Sequence, residues 1–261
     1  MSNIEGLLFD IDGVFTVSWR ALPGAVDALA ELRKFGLPMR FLTNTTSRTR
    51  RAIADALAAE GFQISATDIL TAPVATATYL RKAHPGQRCY LLSSGDVAAE
   101  LGGVKLVGEN EPADVVVLGG AGPEFSYERV NRAFHLLTGG AALVAMHRNL
   151  LWRTDHGLDL DVGAYVSGLE NAANKRAEVV GKPSRLFYGA ALAALGTTAS
   201  RTLMIGDDIE ADIAGAQAAD IRAILVRTGK FREADLARAP APPYAVLDSI
   251  VDLPKWLAAH R

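Results

Sequence analysis

Asp10 and Asp12 follow an apolar run, 4–9, that is broken only by Glu5 and Gly6, and Gly13 comes directly after them. Side chains alternate along a strand, so the two carboxylates share a face where the extension persists. Gly13 lets the chain turn sharply there. Carboxylates this close repel unless a cation or a shared proton intervenes. A second acidic group, Gly206-Asp207-Asp208 with Asp212, ends another apolar run, 202–205. Asp212 lies about one helical turn beyond and can point back at the same spot. Helix capping accounts for one of these aspartates but does not need the whole set. Oxygen donors at two strand ends, with no zinc-type Cys or His cluster, favour a hard cation, Mg2+. Between the acidic groups stand Thr43 and Asn44, at a third strand end, and Lys182. A hydroxyl, an amide and the N–H groups of a helix start make a phosphoryl cradle. A lysine adds fixed positive charge for the transition state. The chemistry these residue types offer is metal-assisted phosphoryl transfer.

Strands and helices must bring these groups together. Apolar spacing predicts a strand over 4–9, a helix over 23–35, a strand over 39–42 and a helix over 48–60. Strand, helix, strand, helix is the pattern of a parallel, helix-covered sheet. From about residue 75 to 175 a second cycle runs, with strands at 88–92, 115–118 and 143–146 and helices at 127–137 and 164–173. It reads as an inserted α/β domain, with hinges near 71–73 and 178–180. The first pattern then resumes: a helix over 185–195, a strand over 202–205, a helix over 209–219, strands over 221–226 and 244–246, and a closing helix over 249–259. The expected fold is α/β, a Rossmann-like parallel-sheet core with an inserted α/β cap domain. Residues 1–74 and 178–261 form the core and 75–177 the cap. The acidic groups then lie at carboxyl ends of strands, where open α/β sheets place their sites.

Composition limits the alternatives. At 261 residues, 49% of them hydrophobic, the chain can bury a substantial core. A net charge of -2 gives no basic surplus for nucleic acid. The single cysteine, Cys89, rules out an internal disulfide and reads as a buried structural thiol. No charged leader precedes a long apolar segment, so no signal peptide is expected. No run reaches the ~18 apolar residues of a membrane helix. A soluble, cytoplasmic protein is expected, with no membrane and no nucleic-acid partner. Phe9, Phe15 and Trp19 read as core rather than as a substrate platform.

Taken in order, Asp10-x-Asp12-Gly13, Thr43-Asn44, Gly181-Lys182-Pro183 and Gly206-Asp207-Asp208 with Asp212 resemble the four motifs of the haloacid dehalogenase superfamily of phosphatases. The insertion between the second and third resembles the large cap of the NagD-like subgroup, subfamily IIA. Three stretches resemble the branch containing phospholysine phosphohistidine inorganic pyrophosphate phosphatase. These are Leu160-Asp161-Val162-Gly163, Ala177-Glu178-Val179-Val180-Gly181-Lys182-Pro183-Ser184 and Arg227-Thr228-Gly229-Lys230-Phe231-Arg232.

The resemblance implies roles. Asp10 is the nucleophile and forms an aspartyl-phosphate. Asp12 protonates the leaving group and then activates water. The side chains of Asp10 and Asp207, with the backbone carbonyl of Asp12, hold magnesium. Thr43 and Asn44 bind phosphoryl oxygens, and Lys182 neutralises developing charge. Asp208 and Asp212 orient Lys182 or metal-bound waters. It also implies a small phosphorylated substrate and a homodimer through the cap. Several NagD-like proteins carry Asn-Pro-Asp after a cap strand, where this chain has Ala145-Met146-His147-Arg148-Asn149. That departure puts transfer of their sugar-phosphate or nucleotide preferences in doubt. His147, Arg148, Trp152, Arg153 and His156 are cap candidates for substrate contact, set against a solvated cap loop. The rival functions are a phosphomutase or other phosphotransferase using the same intermediate, and a phosphate-binding protein without turnover. Dehalogenation would leave the magnesium residues without a purpose. Small esters, pyrophosphate and phosphoamides all remain open as substrates.

Overall fold

The first apolar run forms the strand Gly6–Asp10, every residue of it buried. In the computed structural model, which describes residues 4–154, 157–237 and 239–260, this strand lies inside a six-stranded sheet. The order is Ala245–Leu247, Arg222–Val226, Thr202–Gly206, Gly6–Asp10, Met39–Thr43, Ile69–Thr71. Gly6–Asp10 pairs in parallel with Thr202–Gly206 on one side, Phe9 opposite Ile205, and with Met39–Thr43 on the other, Phe9 opposite Phe41. The chain runs outward from Gly6–Asp10 in one direction, then returns to build the other half from Thr202–Gly206. Its order therefore reverses between those two strands, at the position where α/β sheets place ligands.

The core beneath them is aromatic. Phe15 packs edge-on against Phe9 and Phe62, at 5.3 and 5.7 Å between ring centres, and Phe41 stacks on Phe9 at 5.7 Å. All four rings are fully buried. Each contributes roughly 1.5–3 kcal/mol by burial, and each pair about 0.5–1.5 kcal/mol more. Trp19 packs against this cluster but is only partly buried.

The chain divides into two compact units, one of Met1–Thr43, Arg50–Leu70 and Lys182–Arg261, the other of Asn44–Thr49 and Thr71–Gly181. The second unit has its own parallel sheet, ordered Glu178–Val179, Ala142–Ala145, Val115–Leu118, Arg88–Leu92, Lys105–Val107. Helices Tyr127–Thr138 and Val162–Ala173 bury Ala133, Leu137, Val162, Val166 and Leu169 in its core. Cys89 is buried in this sheet, and burial pushes its thiol up to about 11, which suits a packing residue.

Several elements differ from the sequence-based expectation. Residues 72–83, read as a hinge followed by unassigned chain, form the helix Ala72–Ala83. Thr71 caps it and Pro73 lies in its first turn, where the missing N–H costs nothing. The three-residue strand Lys105–Val107 and the hairpin Leu151–Thr154 with Gly157–Leu160 were not anticipated. The helix expected over 209–219 is a π-helical turn, Ile209–Ala214, followed by a short α-helix, Gly215–Ala218. No helix among the described residues is long and apolar enough to cross a membrane.

Candidate active site

Asp10 ends the central strand and is buried at 7% exposure. Lys182 enters from the start of the last core segment, 5% exposed. Its ammonium donates to Asp10 Oδ1 and, at 2.7 Å, to Asp212 Oδ1. Burial pulls the Lys182 pKa down, but the Asp10 and Asp212 carboxylates more than offset it, and the group is held well above its ordinary value. Lys182 is therefore a permanently charged counter-ion.

Asp207 and Asp208 follow the neighbouring strand, Thr202–Gly206. Asp208 caps the π-helical turn, its Oδ1 accepting from the Glu210 and Ala211 N–H groups at 3.0 and 2.9 Å. The turn itself is closed by the Ile213 N–H on the Asp208 carbonyl, five residues back, at 3.2 Å. Tyr188 supports it from the helix Arg185–Leu195, donating its hydroxyl to the Ala211 and Asp212 carbonyls at 2.7 and 3.1 Å. Asp212, 1% exposed, accepts from the Asp208 N–H through Oδ2 at 3.2 Å. The unusual turn thus aims Asp212 back at Lys182.

Asp10, Asp207 and Asp212 offer one carboxylate oxygen each, all within 4.8 Å of one another. Asp207 is 1% exposed. Its Oδ2 accepts from the Lys230 N–H at 2.6 Å, while its Oδ1 is buried with no hydrogen-bond partner. Burial, then the Asp10 and Asp212 carboxylates, push Asp207 up to about 8, against the Lys230 N–H and ammonium. Burial likewise raises Asp212 to about 6, with Lys182 opposing and Asp10 assisting. Three buried carboxyls this close need more positive charge than one lysine supplies. The orphaned Asp207 oxygen is where a hard cation would find a ready donor. The donor set fits a divalent metal with oxygen ligands.

The carboxyl of Asp12 is not one of these three donors. Asp12 is exposed overall, and its Oδ1 accepts from the Ser18 N–H at 3.2 Å, within a short hairpin, Thr16–Val17 with Arg20–Ala21. Desolvation by the surrounding walls raises its pKa, and Lys230, the Ser18 N–H and Lys182 oppose the shift. A carboxyl raised in this way is suited to proton donation. Thr43 ends the strand beside Gly6–Asp10 and is buried. The boundary between the two units falls immediately after it, and Asn44 belongs to the second unit.

Gly13, Thr228, Gly229 and Lys230 form a wall around Asp207 that no spacing in the sequence ties together. Thr228, after the strand Arg222–Val226, donates its hydroxyl to the Gly13 carbonyl. A Cβ on Gly13 or on Gly229 would lie 2.1 Å from the Asp207 carboxylate, so both positions need a bare backbone. Lys230 adds its N–H to Asp207 and its ammonium, at 3.5 Å, to Asp208. The available signal was topological. Arg222–Val226 pairs in parallel with Thr202–Gly206, so the loop after it had to lie beside Asp207.

Of the cap candidates, His147 is not in a solvated loop. It is 2% exposed and lies near Thr46, Asn149 and Asp161 of its own unit. Arg148 is ion-paired with the buried Glu170. His156 and the side chains of Trp152 and Arg153 lie outside the described residues.

A family model described as Haloacid dehalogenase-like hydrolase matches residues 7–106, and one described as HAD-hyrolase-like matches residues 179–253. The phospholysine phosphohistidine inorganic pyrophosphate phosphatase of Xenopus laevis is 41% identical over 235 residues, 89% of this chain and 84% of that protein. Among solved structures, NagD from E. coli K-12 superposes with a TM-score of 0.88 at 27% identity, covering 96% of this chain and 98% of that one. The p-nitrophenyl phosphatase from Archaeoglobus fulgidus gives 0.90 at 26% identity, covering 97% and 99%. The chain belongs to the haloacid dehalogenase-like hydrolases, in the NagD-like subgroup of phosphatases. Within that subgroup it is similar to the phospholysine phosphohistidine inorganic pyrophosphate phosphatases.

Proposed function

We propose that the protein is a magnesium-dependent phosphatase that works through an aspartyl-phosphate at Asp10. The observation that carries this reading is the charge balance around Asp10. Its Oδ1 is held by Lys182, and beside it Asp207 keeps a buried, unpartnered oxygen. Asp10, Asp207 and the backbone carbonyl of Asp12 would hold the metal. When bound, it would supply positive charge that lets an anionic phosphate approach a carboxylate.

The chain's own residues do the rest. Lys182 fixes one oxygen of Asp10, which leaves Oδ2 to attack phosphorus. The bond to the leaving oxygen or nitrogen breaks as that atom takes a proton from Asp12. Asp12, now ionised, removes a proton from water. The water oxygen attacks the phosphorus of the aspartyl-phosphate, which releases inorganic phosphate and restores Asp10. Thr43 and Asn44 bind phosphoryl oxygens. Asp212 keeps Lys182 in place, and Asp208 fixes the turn that carries Asp212.

The substrates we propose are small phosphate esters, pyrophosphate and phosphoamides, in keeping with the names of the relatives. We also propose a cytoplasmic location and a homodimer through the cap. The exposed Leu150, Leu151, Leu158 and Leu160 on one cap hairpin and its approach support the dimer.

Phosphate release from p-nitrophenyl phosphate, pyrophosphate, phosphohistidine and phospholysine, with magnesium or chelator, tests the reading. Release should need magnesium and vanish in Asp10→Asn. Release that survives chelation, or that Asp10→Asn leaves intact, contradicts it.

A further inference from the structure

The second unit has a place where an α/β sheet would take a ligand, and its own chain fills it. The strands Glu178–Val179, Ala142–Ala145, Val115–Leu118 and Arg88–Leu92 run parallel and side by side, with Lys105–Val107 on the far side of the last. The chain order therefore reverses between Val115–Leu118 and Arg88–Leu92, and the crevice beyond their carboxyl ends is the ligand position of such a sheet. Residues 44–47 lie along those ends in order. Gly181 follows the first strand, and a Cβ on it would lie 2.7 Å from Asn44 Oδ1. His147 follows the second, with Nε2 3.5 Å from Thr46 Oγ1. Gly120 follows the third, and a Cβ on it would lie 2.3 Å from Thr46 Oγ1. Gly95 follows the fourth, and a Cβ on it would lie 2.8 Å from the Ser47 carbonyl oxygen.

The histidine is built in. His147 Nδ1 accepts the Asn149 N–H at 3.3 Å, which leaves the proton on Nε2, facing Thr46. Thr46 is itself 6% exposed. No alanine could replace Gly120 without moving the threonine. Asn44, Thr46 and Ser47 thus meet four successive strand ends in order, and each contact is close enough to fix the loop.

We propose that this seat makes Gly95, Gly120, Gly181 and His147 positioning residues for Asn44, and through Asn44 for phosphoryl binding. This rests on the phosphatase reading, in which Asn44 binds phosphoryl oxygens. The contacts on Thr46 and Ser47, with Gly181 against Asn44 itself, fix the backbone on which Asn44 sits.

The test is a double-mutant cycle between Gly120 and Thr46 in the full chain. Its readouts are p-nitrophenyl phosphate hydrolysis with magnesium, inhibition by inorganic phosphate, and thermal melting. Gly120→Ala should cost about ten- to a hundredfold in kcat/KM, mostly through KM, because a positioning error near 1 Å has that scale. Phosphate inhibition should weaken by a similar factor. In a Thr46→Ala background, which removes the colliding oxygen, Gly120→Ala should cost less than about twofold. Equal losses in both backgrounds, or no loss in either, overturn the proposal. If Gly120→Ala does not fold, His147→Ala against Thr46→Ala completes the same cycle, with the same outcomes. A wild type without turnover overturns the phosphatase reading instead. The seat is then read from Gly120–Thr46 coupling in melting temperature, and its absence overturns the seat as well.

Discussion

The two units repeat one architecture and use it differently. Each is a parallel sheet whose chain order reverses at one point, and in each the residues that matter follow the strands at their carboxyl ends. In the core those ends carry charge: Asp10 and Asp207 at adjacent strands, with Lys182 and Asp212 packed against them. In the inserted unit the corresponding ends carry Gly95, Gly120, His147 and Gly181, and a loop lies on them. The difference teaches that a strand end is a placement device. What it places, a reagent or a loop, is decided by whether the residue there is charged, or is a glycine or a histidine that the loop packs against.

The comparison can be broken most severely in the core. Lys182→Met leaves Asp10 and Asp212 buried without their counter-ion. It should lower turnover by about a hundred- to a thousandfold, since removing one preorganised transition-state group has that scale. It should also destabilise the fold by about 3–5 kcal/mol, the cost of breaking a buried ion pair on one side. Steady-state kinetics and denaturant unfolding read both. A variant with normal turnover would mean that Lys182 balances charge without acting on the substrate.

A smaller effect is expected where the core uses bare backbone. Gly229→Ala would drive a methyl group to 2.1 Å from Asp207 Oδ2, at a residue with φ near +61°. Asp207 must shift, so the magnesium concentration needed for half-maximal activity should rise about tenfold or more, by analogy with lost support of a metal ligand. An unchanged magnesium dependence would separate Asp207 from the metal.

The smallest effect lies in the inserted unit, away from either set of strand ends. Arg88 holds Asp114 through side-chain bonds at 2.8 and 3.1 Å and a backbone N–H at 2.9 Å, and this lowers the carboxyl to about 2. A depressed carboxylate stabilises the fold above its ordinary value of 3.8 and loses that contribution as pH falls toward about 2. Asp114→Asn should therefore melt below the wild type near neutral pH, and the gap should close across that acid window with turnover untouched. A gap that persists at the acid end would assign the effect to packing.

Much of this was legible in the residues themselves. The apolar runs before Asp10, Thr43 and Asp207 are short, built mostly of leucine, methionine, isoleucine and phenylalanine, and end abruptly, so their strand ends stand out. Helix Ala72–Ala83 did not, because its alanines and threonines give little contrast between faces and its early proline resembles a break. The strand Lys105–Val107 is too short to carry a period. The wall of Gly13, Thr228, Gly229 and Lys230 is assembled because Gly6–Asp10 and Arg222–Val226 both pair with Thr202–Gly206, which brings Thr228 onto Gly13, 215 residues before it. The π-helical turn that aims Asp212 depends on tertiary support from Tyr188, which local spacing does not report. The loop seat was hidden for a similar reason: Gly95, Gly120 and Gly181 are far apart in sequence and meet one loop only once their strands lie side by side.

The central claim is that Asp10 becomes phosphorylated. Acid-quenched wild type, mixed with radiolabelled substrate and magnesium, should carry a hydroxylamine-labile phosphoryl group that maps by peptide analysis to Asp10 and is missing from Asp10→Asn. Turnover with no trapped label, and with Asp10→Asn still active, would contradict the account.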